Sequence, residues 1–304
     1  MPGYPLDTRG RAAESRQPDR MPRQPHPGCF SNARATLAAP TLEMTLFDMP
    51  QTILATDLDG TFLGGSAGER ATLYDWIAQR RDEIVLIFVS GRGIDFMRGL
   101  AKALPVQPDH LVGDVGTSVA CGPCYSPLPH LEQWLDARWP ADASARIGQT
   151  MQQHPGLSEQ PIVGGRRRSY YFKDPADALA AQQDIQQLGF DALISDNLYF
   201  DVLPRGVQKG PTLLRILQAL DLPARRTLVA GDTLNDLSMF DTGLAGVAVG
   251  NREAALDAAI QQHDNVYRSP HPGAAGVLDA LQRFHRTEDT HGFITGHRLS
   301  PAAL

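Results

Sequence analysis

Between residues 53 and 249 lie five short apolar runs with little polar alternation, at 53–58, 84–89, 111–115, 227–231 and 245–249. Runs of Ile, Val and Leu without alternation are what strands buried on both faces look like, and such strands belong to parallel sheets. Helical patterns accompany them at 69–81, 94–103, 209–220, 234–241 and 252–260. A final strand and helix are expected at Val266-Tyr267 and Ala274–Phe284. Strand alternating with helix predicts an α/β fold, a Rossmann-like parallel-sheet core with helices on both faces.

The stretch 119–204 breaks that rhythm. It holds a Pro-rich turn at 121–129, a helix expected over 130–153, the run GGRRRSYYF, a helix at 175–188, and two alternating segments, Ala192–Ser195 and Leu198–Leu203. This reads as an inserted α+β domain. It follows the third core strand, so it is expected over the carboxyl ends of the strands as a lid. The core then comprises 49–118 and 205–285, with the insert at 119–204.

Residues 1–48 carry Pro2, Pro5, Pro18, Pro22, Pro25, Pro27 and Pro40, and no sustained apolar period. They are expected to be a disordered tail or an over-extended start, with the working start near Met44. Asp7, Glu14 and Asp19 count against a transit peptide. Residues 286–304 read as a loose C-terminal tail. A net charge of -6 gives no nucleic-acid footprint. No apolar run is long enough to span a membrane. Three cysteines make an odd count, which fits a reducing, cytoplasmic setting better than a disulfide scaffold.

Four separated pieces fall at strand ends or helix starts: Asp57-Leu58-Asp59-Gly60-Thr61, Ser90-Gly91-Arg92, Lys209-Gly210, and Gly231-Asp232-Thr233-Leu234-Asn235-Asp236. Ligand sites in open α/β sheets collect outside the carboxyl ends of strands. Two carboxylates on one turn repel unless a cation or proton intervenes. Asp57 and Asp232 can hold Mg²⁺, which takes hard oxygen ligands. Ser90 and the amide after it can donate to phosphate oxygens, and Lys209 can add a point charge. With that charge neutralised, one carboxylate can attack phosphorus while an acid two residues on protonates the leaving oxygen. Phosphoryl transfer asks mainly for such positioning and charge stabilisation.

These four pieces resemble the nucleophile, second, third and metal motifs of the haloacid dehalogenase-like (HAD) superfamily, in its phosphatase branch. The resemblance covers about 52–285. It implies Asp57 as nucleophile and Asp59 as general acid/base, with Mg²⁺ held by Asp57, the backbone carbonyl of Asp59, and Asp232. It also implies phosphate binding by Ser90, Gly91, Lys209 and Asn235, with Asp236 and Thr61 in support. The insert's position looks like the larger C2-type cap of this superfamily. Cap length, VGDVGTSV and DVLPRGVQKG most resemble the sucrose-phosphatase-like group, whose substrates are sugar phosphates, often of disaccharides. Sucrose 6-phosphate is the favoured type; glucosylglycerol phosphate and mannosylglycerate-type phosphates are the alternatives. A functional pairing with the glycosyltransferase that makes the substrate goes with that reading.

Other motifs are read as structural. Cys121-Gly122-Pro123-Cys124 matches a redox pair, but two prolines follow at once and forbid the helix that would activate a thiol. Zinc would need a further ligand pair, and the other cysteine is Cys29. Arg166-Arg167-Arg168 reads as a solvated turn before a cap strand. The functional alternative gives sugar hydroxyls to Arg168, Tyr170, Tyr199 and Asp201. His110, His130 and His154 are expected at the surface, Trp134 and Trp139 in packing, and Asn251-Arg252 as a helix cap. A receiver-type signalling module would have no use for the second acid or the insert. A phosphomutase would share both aspartates under a different cap.

Overall fold

The apolar runs assemble into one sheet whose two faces are both covered. In the computed structural model, residues 52–161, 165–287 and 291–294 are described; Met44, Cys29 and the expected N-terminal tail lie outside them. The first half of the chain forms β1 (Thr52–Thr56), α1 (Ala67–Ala78), β2 (Ile84–Val89), α2 (Ile94–Ala103), β3 (His110–Gly113), β4 (Ser118–Cys121) and α3 (Pro129–Asp136). Next come α4 (Ala143–Met151), β5 (Leu157–Glu159), β6 (Arg168–Phe172), α5 (Pro175–Gln187), β7 (Asp191–Ser195) and β8 (Tyr199–Leu203). The chain then continues through α6 (Lys209–Ala219), β9 (Thr227–Gly231), α7 (Leu237–Phe240), β10 (Ala245–Ala248), α8 (Ala254–Ala259), β11 (Val266–Arg268) and α9 (Gly273–Thr287). None of these helices is long and apolar enough to cross a membrane.

The large sheet has the order β11-β10-β9-β1-β2-β3-β4. All its pairs are parallel except β3 with β4. Alternate residues of each strand feed opposite layers. Leu54, Leu86, Phe88, Leu228 and Val247 pack against α1, α2 and α9 through Leu73, Ile77, Met97, Val277 and Phe284. Ile53, Ile87, Val89 and Val229 pack against α6, α7 and α8 through Leu213, Ile216, Phe240 and Leu256. Burial on both faces explains why these strands lack polar alternation.

Register places the chemistry. Thr56 lies opposite both Phe88 and Ala230. Asp57, Ser90 and Asp232 therefore leave three adjacent strands at nearly the same level.

A second, antiparallel sheet of order β5-β6-β8-β7 forms in the insert. Its buried side packs on α4 and α5 through Ile147, Tyr170, Phe172, Ile185, Phe200 and Val202. The start of the insert differs from expectation. β4 pairs with β3 in the large sheet, and Leu131 of α3 packs in the same layer as Val119 and Cys121. The cap sheet and its helices begin only after α3. The helix expected over 130–153 is two helices, because Pro140 denies helical geometry to the residue before it. The expected loose tail also holds structure: α9 runs to Thr287, and Phe293 is buried against Phe284 and Tyr267, with ring centroids 5.6 and 6.3 Å away.

The first turn of α6 lies against α7 with no room for a side chain. A Cβ on Gly210 would sit 1.8 Å from the carbonyl oxygen of Ser238. Gly210→Ala is expected to destabilise the protein by roughly 1–3 kcal/mol, the usual cost of overpacking. Chemical denaturation checks it: the midpoint should fall, and an unchanged midpoint would contradict this packing.

Candidate active site

Asp57 follows β1 directly and is buried. The turn Leu58–Phe62 then reverses the chain, with Gly60 at φ 80°. Glycine is required there twice over: left-handed backbone strains other residues, and a Cβ would lie 2.1 Å from Asp232 Oδ2. This close approach brings the first turn against the loop after β9. Thr61 Oγ1 donates to Asp232 Oδ1 at 2.8 Å. Asn251 Nδ2 donates to Asp232 Oδ2 at 3.2 Å and to the Gly60 carbonyl at 3.1 Å, while its Oδ1 accepts from Gly273 N–H at 2.7 Å. Asn251 is thus a brace between both acidic loops and α9. It does not cap the helix that follows it, as expected from the sequence. A polar residue directly after a core strand signals such a brace no better than it signals a cap.

Lys209 opens α6 and is completely buried. Its Nζ donates to Asp57 Oδ1 at 2.7 Å and to Asp236 Oδ1 at 2.6 Å. Burial alone would lower its pKa, but Asp236 and Asp57 together push it up, so the ammonium stays charged. Asp236 Oδ2 accepts from the backbone N–H groups of Asp232 and Thr233, at 2.9 and 3.0 Å. Asp236 is therefore fully engaged in structure.

One oxygen each from Asp57, Asp232 and Asp236 lies within 4.8 Å of the others. Three buried carboxylates face one ammonium. Burial, offset in part by Lys209, raises Asp57 to about 7. Burial, reinforced by Asp236 and Asp57, raises Asp232 to about 8. This is the signature of negative charge lacking a counter-ion, and a hard divalent cation fits that donor set. With Asp236 committed to Lys209 and two backbone amides, Asp57 and Asp232 are the carboxylates left to hold it.

The side chain of Asp59 is not in that cluster. It stands 56% exposed, held by a two-pronged pair from Arg92, Nε to Oδ2 at 2.8 Å and Nη2 to Oδ1 at 3.1 Å. Arg92 in turn lies over the ring of Phe96, its guanidinium carbon 4.9 Å from the centroid. Ser90 is buried, and its Oγ accepts from Arg92 N–H at 3.1 Å, leaving the hydroxyl proton for a ligand. Asn235 Oδ1 is buried and has no hydrogen-bond partner among the described residues.

These groups floor a cleft of about 670 Å³ whose other wall is the cap, through Gln160, Arg167, Tyr171, Ser195, Tyr199 and Asp201. Of the four cap residues proposed from the sequence, Tyr199 and Asp201 line this cleft. Arg168 and Tyr170 do not. Side chains alternate along β6, and its pairing sets Ser169 opposite Asp201 and Tyr171 opposite Tyr199 on one face. Tyr170 faces the cap core, where burial raises its hydroxyl to about 12. Arg168 pairs with Glu159 at 2.5 Å. The expectation was off by one residue, which in a strand means the opposite face.

The arginine run is not solvated either. Arg166 pairs with Glu132 at 2.7 Å and Asp136 at 2.6 Å, and donates to the Thr117 carbonyl at 3.2 Å. Arg167 donates to the Gly91 carbonyl at 3.0 Å and to Asp114 Oδ1 at 3.1 Å, and lies 3.7 Å from Asp201 Oδ1. Two consecutive arginines thus fasten the cap to the core, one of them on the Ser90-Gly91 loop itself. Asp201 is buried and its pKa is raised by desolvation, which Arg167 offsets in part.

The redox reading of Cys121 finds no support in its surroundings. Cys121 bridges Ser126 as a strand pair, and burial pushes its thiol up to about 12. His154 is not a free surface residue: it lies 2.9 Å from Asp184. Trp139 packs in the cap on Phe190, centroids 5.5 Å apart.

The fold is that of the HAD-like hydrolases. A solved HAD-like hydrolase from Bacteroides thetaiotaomicron superposes with a TM-score of 0.57 at 16% identity, covering 76% of this chain and 98% of that one. The sucrose-phosphatase of Synechocystis, solved with sucrose and phosphate, gives 0.72 at 24% identity, covering 78% and 98%. The chain belongs to the sucrose-6F-phosphate phosphohydrolase family, whose model matches residues 50–285. By that membership it groups with HAD-like sugar-phosphate phosphatases, which are phosphoric monoester hydrolases. Among curated relatives, the glucosylglycerol-phosphate synthase of Pseudomonas anguilliseptica is 38% identical over 235 residues. That match takes in 76% of this chain, which spans only 30% of that longer relative. The mannosylfructose-phosphate phosphatase of Agrobacterium fabrum is 31% identical over 247 residues, covering 77% of this chain and 97% of the relative.

Two measurements check the geometry of the cleft. Tyr171→Ala is expected to raise KM for a sugar phosphate roughly tenfold, about 1.4 kcal/mol of lost contact, while Arg168→Met keeps KM within about twofold. The reverse ranking would put the other face of β6 on the substrate. In native protein at pH 8, Cys121 is expected to resist iodoacetamide, read by mass spectrometry. Rapid alkylation would contradict its burial.

Proposed function

We propose that the chain hydrolyses the phosphomonoester of a phosphorylated glycoside, with Mg²⁺, through an aspartyl-phosphate on Asp57. The observation that carries this reading is the fully buried Lys209 bonded to Asp57 at the floor of a polar cleft. The ammonium orients the carboxylate and supplies positive charge where phosphoryl oxygens arrive. Ser90 and the backbone around Gly91 donate to those oxygens, and Asn235 turns its amide to them. Asp57, Asp232 and the backbone carbonyl of Asp59 would hold the metal, which when bound neutralises charge between nucleophile and phosphate. Asp59 protonates the leaving oxygen, then takes a proton from the attacking water. Arg92 keeps that carboxylate at the cleft until the substrate displaces the pair.

The cap side of the cleft suits a glycosyl group. Tyr171, Tyr199, Gln160 and Ser195 offer ring faces and hydrogen bonds, with no deep apolar slot among them. The two relatives named above share a chemistry, a phosphate on a glycosylated sugar or polyol. Sucrose 6-phosphate, mannosylfructose phosphate and glucosylglycerol phosphate are therefore the substrates to compare. The identity to the glucosylglycerol-phosphate synthase favours the last. A cytoplasmic setting and a glycosyltransferase that supplies the phosphorylated glycoside go with this reading.

A phosphate-release assay over these three compounds, with and without Mg²⁺, tests it. Turnover is expected to need Mg²⁺ and to prefer phosphorylated glycosides over simple hexose phosphates; equal rates on both would remove the cap from substrate choice. Asp57→Asn is expected to abolish turnover. Asp59→Asn is expected to lower kcat by roughly 10²–10⁴-fold, the range for a lost general acid/base.

A further inference from the structure

Away from the catalytic cleft, α6 presents a second feature. Its inner face carries Leu213, Ile216 and Leu217 into the core. Its outer face, with Leu214 and Arg215, lines a concavity of about 420 Å³ shared with Trp134 of α3, Arg138 just after it, and Arg205 and Gly206 after β8. The guanidinium carbons of Arg215 and Arg138 lie 4.2 and 4.9 Å from the Trp134 ring centroid. A guanidinium resting on an aromatic face is held in place yet keeps N–H groups on its edge for a ligand.

These three arginines are exposed and carry no counter-charge among the described residues. Among the described residues no carboxylate comes within 4.0 Å of a side-chain nitrogen of Arg138, Arg205 or Arg215. This holds in a chain whose net charge is -6. The nearby acids are spent elsewhere: Glu132 and Asp136 on Arg166, and Asp191 on the Gly206 N–H at 2.8 Å. Arg138 gives one bond, to the Trp134 carbonyl at 3.1 Å. Trp134 Nε1 is buried with no hydrogen-bond partner among the described residues. Three cations and the Trp134 ring thus border one concavity of ligand size. Forked guanidinium donors match phosphate oxygens in pairs.

We infer that the concavity between α3 and α6 is a second anion site, distinct from the catalytic cleft, for a phosphate dianion, free or as a monoester. Arg205 and Arg215 are its principal charges, and Trp134 is the platform that aims Arg215. None of these residues lines the cleft.

Calorimetric titration tests this on the full chain with metal removed by chelation, so that no turnover occurs. The probes are inorganic phosphate and, separately, phenylphosphonate as a monoester that cannot hydrolyse. The expected result is that Arg205→Ala/Arg215→Ala binds one equivalent fewer than the wild type while hydrolysing p-nitrophenyl phosphate at an unchanged rate with Mg²⁺ restored. Loss with inorganic phosphate alone marks a product site; loss with both probes marks a monoester site. Either supports the proposal. Trp134→Leu, which removes the aromatic platform under Arg215, is expected to weaken the second equivalent about tenfold. The same stoichiometry in the wild type and the double variant, with either probe, would overturn it.

Discussion

A single buried ammonium holds this site together. Lys209 has no solvent access and lies between Asp57, at the end of β1, and Asp236, in the loop after β9. Taking such charges out of water is costly, and only close pairing with further hydrogen bonds offsets it. Both conditions are met: the contacts are 2.7 and 2.6 Å, and Asp236 also accepts two backbone N–H groups. Removing one partner of such a group typically costs roughly 3–5 kcal/mol. The position of α6, the aim of Asp57 and the shape of the Asp232 loop all depend on this contact. Gly210, next to Lys209, lets α6 approach α7 closely enough to make it.

The same contact explains the division between the acids. Asp236 is consumed by structure. Asp57 and Asp232 keep surplus negative charge, which burial turns into raised pKa values and which a divalent cation relieves. Asp59 lies outside this buried group, at the cleft and in the grip of Arg92. Its exposure suits the proton carrier proposed for it, which would exchange protons with leaving group and water in turn. Arg166 and Arg167 then set the cap above these groups, tying its first long strand to Glu132, Asp114 and the Gly91 carbonyl.

Much of this is legible in the sequence. Unalternating apolar runs announced a doubly covered parallel sheet, and four polar pieces at their ends announced phosphoryl chemistry. The misses have physical reasons. Alternation along a strand is readable from sequence, but which face of β6 lines the cleft depends on pairing with β8, and a slip of one residue exchanges Tyr171 for Tyr170. Ser66 and Glu69 form a capping box, so α1 starts two residues before the expected helix. Asn251 and Arg167 were misread because their partners, Asp232 and Gly91, are distant in sequence. Long-range hydrogen bonds leave no local pattern to find. β4 escaped because an antiparallel strand added at a sheet edge looks like the start of an insert.

The central claim is that Asp57 attacks phosphorus, and reduction of the intermediate tests it most directly. Borohydride converts an aspartyl-phosphate to homoserine, which peptide mass spectrometry locates. With a turning-over phosphorylated glycoside and Mg²⁺ present, the account predicts homoserine at position 57 and at no other aspartate. Homoserine at Asp59 or Asp232 instead, or an unmodified Asp57 under steady turnover, would contradict it.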